Sequence, residues 1–300
     1  MSSEPRLLSA AVPEDRAGRT VKSLLKSEFH MAEGYIAALK LRPDGIRLDG
    51  ERVHTNVRAW AGQILTVRVD DEGEENPAAP IPVPLFVPYE DADLAVIEKP
   101  AGMVVHGADP DGAPTVANAL AARWGREQSF HPVHRLDRGT SGLLLVARSR
   151  YVSELLRRKL HTESFIREYL ALAEGHLSPE NGEIALPLGP AKDERFRQCV
   201  RSDGKPALTH YETLGTFPEG SLLRLRLETG RTHQIRVHLA ALGHPLLGDA
   251  FYGASRGLEL GRPALHAARL ELRHPVTGEK LCLESSLPEE LRRFVETTGN

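Results

Sequence analysis

The 300-residue chain has only two cysteines, Cys199 and Cys282, so no disulfide framework staples it and no Cys-x-x-Cys pair offers a zinc knuckle. No apolar run approaches the roughly 18–20 residues that a membrane span needs. The N-terminal Met1-Ser2-Ser3-Glu4-Pro5-Arg6 lacks a basic-then-apolar signal pattern. Charge of one sign is missing too. The 38 Lys and Arg against 41 Asp and Glu leave a net charge of −3, which excludes a simple basic coat protein for nucleic acid. A glycine-rich phosphate loop is absent, so nucleotide hydrolysis lacks its usual cradle, and an esterase of the nucleophile-elbow kind is not expected. What is present is ordinary for a globular chain: 41% hydrophobic, 26% charged, and long enough for two domains. The expectation is a soluble protein of a reducing compartment, the cytoplasm, with no membrane partner.

Charge is uneven along the chain. Residues 1–69 carry 11 Lys and Arg against 8 Asp and Glu, and residues 131–280 carry 22 against 17. Between them lie Asp70-Asp71-Glu72-Gly73-Glu74-Glu75 and the prolines Pro77, Pro80, Pro82, Pro84 and Pro88. Adjacent like charges repel, and prolines at this density disfavour helix and central strand. Residues 70–88 therefore read as an acidic, stiff linker between a small domain (1–69) and a large one (89–300), the alternative being a solvated loop within one domain. The two mildly basic flanks point to an anionic partner.

In the first domain Val21, Leu24, Leu25 and Phe29 share one helical face and Tyr35, Ile36 and Leu39 another, followed by short strands around Asp49-Gly50. A module of this size without clustered acid, base and nucleophile suits recognition. In the second, Leu94–Ile97, the run Gly142–Ala147 and the alternation Leu223, Leu225, Leu227 read as strands. Ala117–Trp124, the basic stretch Val152–Leu160 and the segment after Thr232 read as helices, with Gly243 as a cap. A hairpin at Thr277-Gly278 and a final helix after Pro288 complete an α+β fold with a large, mostly antiparallel sheet.

Three constellations can carry chemistry. In His131-Pro132-Val133-His134-Arg135-Leu136-Asp137-Arg138-Gly139-Thr140-Ser141-Gly142, an aspartate enters a buried strand flanked by Arg135 and Arg138. Positive neighbours keep such a carboxylate ionised, and an ionised, positioned carboxylate attacks electrophilic carbon. The plainer alternative is a turn-capping Asp. In Thr229-Gly230-Arg231-Thr232-His233-Gln234-Ile235-Arg236-Val237-His238, Arg231 falls at a helix start, where a cation is unfavourable unless an anion such as Asp137 or a phosphate accompanies it. The alternative is an arginine reaching into water. In Phe165-Ile166-Arg167-Glu168-Tyr169-Leu170-Ala171, alternation puts Phe165, Arg167, Tyr169 and Ala171 on one face, a platform for a flat base or simply a half-buried sheet face. The 13 histidines invite a metal reading through His131, His134 and Asp137, or His233 and His238. Pro132 disturbs the first spacing, and five residues is off the i, i+4 face of a helix, so no metal is expected.

His134-Arg135-Leu136-Asp137-x-x-Thr140-Ser141-Gly142-Leu143 closely resembles the signature of the RluA-type RNA pseudouridine synthases. Glu98-Lys99-Pro100-Ala101-Gly102-Met103-Val104-Val105-His106, Gly230–His238, Gly243-His244-Pro245-Leu246, Gly248-Asp249 and Leu265-His266-Ala267 match the same family in order, over about residues 86–295. Residues 14–69 resemble the small RNA-binding domain named for ribosomal protein S-four. Gly139 stands where the family usually has an acidic or polar residue, Arg167 where lysine is more usual, and the second N-terminal helix is poor in basic residues.

The resemblance implies an isomerase that detaches uracil from ribose, turns it and rejoins it through carbon-5, with no cofactor and no metal. The uridine must leave the stack. Asp137 would be the catalytic aspartate, attacking sugar or base or assisting a glycal route. Arg231 would pair with Asp137, Tyr169 would stack on uracil, and Arg135 would fill the gap left by the flipped base. The implied partner is RNA, large-subunit ribosomal RNA ahead of transfer RNA, met by a monomer. The alternatives are an RNA-binding ribosome-assembly factor without catalysis, motivated by Gly139 and Arg167, and a metal-dependent nucleoside hydrolase.

Overall fold

The computed structural model describes residues 5–71, 75–192, 194, 196–218 and 220–296. Chain order in the N-terminal part is β1 (Leu7–Ala11), α1 (Val21–Ser27), α2 (Glu33–Leu39), β2 (Ile46–Leu48), β3 (Glu51–Arg52) and β4 (Ile64–Arg68). These strands form an antiparallel sheet in the order β1-β4-β2-β3. The Thr20 hydroxyl accepts the Ser23 amide and starts α1, and Val21, Leu24 and Leu25 are fully buried, as their spacing predicts.

The larger part runs β5 (Phe86–Glu90), β6 (Leu94–Lys99), α3 (Val116–Trp124), β7 (His131–Pro132), β8 (Ser141–Ala147), α4 (Arg150–Lys159) and β9 (Phe165–Glu174). It continues through β10 (Asn181–Ala185), β11 (Leu188–Pro190), β12 (Gln198–Val200), β13 (Leu208–Phe217), β14 (Gly220–Leu227) and α5 (Gln234–Ala241). The last elements are β15 (Leu265–Arg273), β16 (Lys280–Glu284) and α6 (Glu289–Glu296). The large sheet has the order β10-β13-β14-β9-β15-β8-β6-β5, with β16 on β15 and β7 on β8. Among the described residues, only the β15–β8 pairing is parallel. This is the mixed, mostly antiparallel α+β architecture the sequence implies.

β8 is buried along its whole length, as the run Gly142–Ala147 requires of a strand covered on both faces. Gly142 opens it at φ +106, and a Cβ there would lie 2.2 Å from the Ala267 carbonyl oxygen across the parallel pairing. Only glycine fits. β9 buries Phe165, Arg167, Tyr169 and Ala171 on one face, and this face and the loop before β8 meet at the cleft described below.

The two parts share one hydrophobic core, in which Leu24, Phe29 and Tyr35 pack with Leu94, Tyr151, Phe165 and Leu270. The Tyr151 hydroxyl donates to the Phe29 carbonyl (2.8 Å), and the Tyr35 and Tyr151 rings are 5.6 Å apart. Within 70–88, Asp71 is buried. Its Oδ2 accepts the Arg150 amide at the start of α4 (2.7 Å) and pairs with His131, so this carboxylate satisfies a helix N-terminus rather than facing solvent. Glu72, Gly73 and Glu74 of the acidic run lie outside the described residues.

Candidate active site

Asp137 sits on a tight loop closed by the Thr140 amide donating to its carbonyl (3.1 Å). The next residue is held from beneath. Lys99, with no exposed surface, donates from Nζ to the carbonyls of Pro100, Met103 and Arg138 at 2.9–3.2 Å. Burial pushes this ammonium down to about 7, against the opposing pull of the Asp137 charge. Gly139 is held from the side: its carbonyl accepts from Arg262 Nη1 (3.2 Å), whose Nη2 bonds Glu290 of α6 (2.6 Å). A Cβ at Gly139 would lie 2.8 Å from the ring of buried Pro263. The departure at 139 therefore matches a close approach in this chain, and the loop is clamped from two sides.

The Asp137 carboxylate, 28% exposed, faces a cleft of about 470 Å3, within the range of ordinary small-ligand sites. Arg135, Tyr169, Arg231, Arg167, His161 and Leu136 are among its walls. The structure thus gathers all four expected site residues around one cavity, but it changes the pairing. Asp137 Oδ2 lies 3.4 Å from Nη1 of Arg236, not beside Arg231. Arg231 is exposed, and its Nε donates to the Pro206 carbonyl (3.1 Å). Arg138, expected as a second positive neighbour, turns away to Asp109 and Asp111.

The reason lies in how α5 begins. Its N-cap is His233, in the left-handed region at φ +56, and Gln234 Oε1 accepts from the Arg231 amide and the Thr229 hydroxyl. Helix therefore starts later than Thr232, and Arg231 stays on the loop. Arg236 falls among buried neighbours, where Asp249 grips it through two bonds of 2.7 and 2.8 Å. That fork fixes the guanidinium plane and leaves Nη1 toward Asp137. The signal missed in the sequence is a cation between Ile235 and Val237 on a buried helix, which needs a carboxylate partner.

His233 brings Nε2 to 3.8 Å from Asp137 Oδ2. Its Nδ1 is hydrogen-bonded to the Tyr252 hydroxyl (2.7 Å), which also accepts the Gln198 amide. Burial, opposed by the Asp137 charge, holds its pKa below the usual histidine value. Tyr169 is 5% exposed, and burial raises its phenol above the ordinary range, so it stays protonated at neutral pH. Arg167, 7% exposed beside it, has no carboxylate within ion-pair distance among the described residues. Burial, then the Arg167 and Arg231 charges, lowers His161.

The histidines weighed as metal ligands do not converge. His131 pairs with Asp71, His134 Nε2 accepts the Leu145 amide inside the core, and Asp137 faces the cleft. Asp91, Asp93 and His274 do cluster. However, His274 Nδ1 accepts two backbone amides, leaving Nε2 protonated toward Asp91, and both Asp93 oxygens bond Arg6. That cluster is an ion-paired buttress. Gly253-Ala254-Ser255-Arg256-Gly257 spells Gly-x-Ser-x-Gly, but Ser255 Oγ donates to Glu174 in an exposed loop after a 3-10 turn, with no strand before it.

A family model described as RNA pseudouridylate synthase matches residues 93–241. The chain is 37% identical to the ribosomal large subunit pseudouridine synthase D of Xanthomonas campestris pv. campestris, over 98% of this chain and 94% of that protein. It is 39% identical to an uncharacterized RNA pseudouridine synthase of Bacillus subtilis, over 83% and 84%. Among solved structures, human RNA pseudouridylate synthase domain containing 1 superposes with a TM-score of 0.56 at 30% identity, covering 68% of this chain and 83% of that one. Among the described residues no helix is long and apolar enough to cross a membrane. With likeness spanning nearly its full length, the chain belongs to the RluA-type RNA pseudouridine synthases, enzymes that isomerise uridine in RNA to pseudouridine.

Proposed function

We propose that this enzyme modifies large-subunit ribosomal RNA, with Asp137 as the catalytic aspartate and Tyr169, Arg135 and Arg231 as substrate-binding residues. The carrying observation is the Asp137 carboxylate exposed at a cleft wall while Arg236, locked by Asp249, faces it from 3.4 Å. At that distance the cation lies close to the carboxylate without tying up both its oxygens in a bidentate bond. Tyr169, buried and protonated, offers its ring to the displaced uracil. Arg135 and Arg231, both exposed on the cleft rim, are placed to fill the vacated stack and to meet phosphate. The apolar β8 behind the loop limits bulk water, which would otherwise trap the opened sugar. Relatives named for the ribosomal large subunit support that substrate.

In this reading residues 1–69 are an RNA-binding domain of the ribosomal-protein-S-four type. Lys22 and Lys26 are both engaged by Glu33, so the α1–α2 face offers little free charge. Arg47 and Arg52 stand directly opposite on β2 and β3, exposed and without an ion-pair partner among the described residues. Facing like charges are destabilising until an anion lies between them, which supports a phosphate contact there.

The test is tritium release from RNA labelled at carbon-5 of uridine, with wild type and Asp137→Asn side by side on ribosomal and transfer RNA. Release by wild type from ribosomal RNA alone, and none by the variant, is expected. Equal release by Asp137→Asn refutes the assignment of Asp137, and release from transfer RNA only refutes the substrate.

A further inference from the structure

Beside the cleft, outside the residues assigned above, lies an aromatic cluster. Phe251 and Tyr252 follow Asp249 in a short 3-10 turn. Their rings meet edge-to-face at 5.1 Å, and each meets the His233 ring in the same way, Phe251 at 6.1 Å and Tyr252 at 5.6 Å. Arg197, on the β11–β12 hairpin, holds its guanidinium 5.6 Å from both rings, and Arg236 lies 5.9 Å from Phe251. The hairpin is tied in place because the Gln198 amide donates to the Tyr252 hydroxyl (3.1 Å).

Tyr252 has an evident structural duty: it is buried, bonds His233 and receives the hairpin. Phe251 has none of these. It remains 42% exposed although four side chains hold it, so its ring is immobilised without being covered. Phe196 on the same hairpin is 74% exposed with φ +70, a conformation that disfavours a bulky residue. His233 and Arg236 each touch both Phe251 and Asp137, so the ring stands one side chain away from that carboxylate. A fixed, half-open aromatic face packed against His233 and Arg236, two residues that line the cleft, meets a specific need if that cleft takes a flipped nucleotide. Flipping removes a stacking partner from the neighbouring base, and a rigid ring replaces it at low entropic cost.

We infer that Phe251, backed by Arg197, is a stacking subsite for an unpaired base adjacent to the target uridine, a step that rests on the Asp137 cleft receiving that uridine. Arg197 also bonds Glu194 (2.7 and 2.8 Å), so its part is to polarise and brace the rings rather than to bind phosphate as a free cation. Because every base has a π face, the subsite adds affinity without reading sequence.

The experiment measures kcat and KM for tritium release from carbon-5-labelled ribosomal RNA with wild type, Phe251→Ala, Phe251→Leu and Phe251→Trp, each checked for an unchanged melting curve. Loss of one stacked base raises KM by about 5- to 150-fold in Phe251→Ala, with kcat at saturating RNA within about twofold. Phe251→Leu, apolar but without a π face, follows Ala, while Phe251→Trp stays near wild type and its fluorescence is quenched as RNA binds. A wild-type KM in Phe251→Ala, full rescue by Leu, or no quenching overturns the subsite. If wild type releases no tritium, the reading of the cleft falls, and the quenching of Phe251→Trp still decides whether the ring stacks on RNA.

Discussion

Asp249→Asn isolates what holds Arg236 in place. The wild-type carboxylate accepts from Arg236 Nε at 2.7 Å and Nη2 at 2.8 Å, with side-chain exposures of 10% for Arg236 and 1% for Asp249. Asparagine keeps one acceptor and turns an amide donor against the other guanidinium N–H. Removing one partner of a buried pair costs about 3–5 kcal/mol, because the remaining charge stays desolvated. Here Asp137, 3.4 Å away, offers partial compensation, and the retained acceptor offers more, so about 2–3 kcal/mol is expected. At about 2.1 cal/mol/K per residue of unfolding entropy, that lowers Tm by about 3–5 °C in a chain of this length. With its fork broken, Arg236 turns onto Asp137 as its remaining carboxylate, and if Asp137 is the catalytic group proposed above, its oxygen is blunted. Tritium release should therefore show kcat reduced at least about tenfold with KM within about twofold, the signature of an interaction made on the way to the transition state. A Tm within 1 °C of wild type together with an unchanged kcat would refute the claim that Asp249 sets the Arg236 geometry.

Three further outcomes follow from the same geometry. Burial lowers His134 to about 3, so the folded state keeps it neutral while the unfolded chain protonates it near its ordinary value. Stability is complete above about pH 6.5 and is lost as pH falls toward 3, at about 1.4 kcal/mol per pH unit for this one proton. His134→Gln should flatten the acid limb of ΔG against pH by about one proton, read by urea titrations from pH 4 to 6.5, and an unchanged slope counts against a neutral buried ring. Gly139→Ala places a methyl 2.8 Å from the Pro263 ring, so calorimetry should find it destabilised by about 1–3 kcal/mol, whereas a neutral result would show that the loop has room. Arg167→Ala should weaken ribosomal RNA binding and lower the slope of log K against log salt by about 1, with Arg167→Lys recovering most of it. A slope equal to wild type would mean that the buried guanidinium meets no phosphate.

Patterns with local causes were legible in the sequence. The alternation Phe165, Arg167, Tyr169, Ala171 is the buried face of β9, and the apolar run before Arg148 is β8, because burial on one or both faces writes its period directly into residue type. β1 and the β11–β12 hairpin went unread. Leu7–Ala11 is half exposed at a sheet edge, and Leu188-Gly189-Pro190 paired with Gln198-Cys199-Val200 carries no alternation. Asp71, read as part of an acidic, stiff linker, finds its partners 60 and 79 residues away, beyond any window of sequence.

The same limit explains why Arg231 was expected beside Asp137. Motif order brought Asp137 and the Gly230–His238 segment together, yet which of its two arginines reaches the carboxylate depends on where α5 begins. Left-handed His233 and the Gln234 side chain delay that start past Thr232. The delay leaves Arg231 exposed on the rim and turns Arg236 inward to Asp249. Burial thus separates an arginine that serves the protein's own carboxylate from one left at the surface. The buried one requires a second acid to hold it, and Asp249, thirteen residues further on, is that acid.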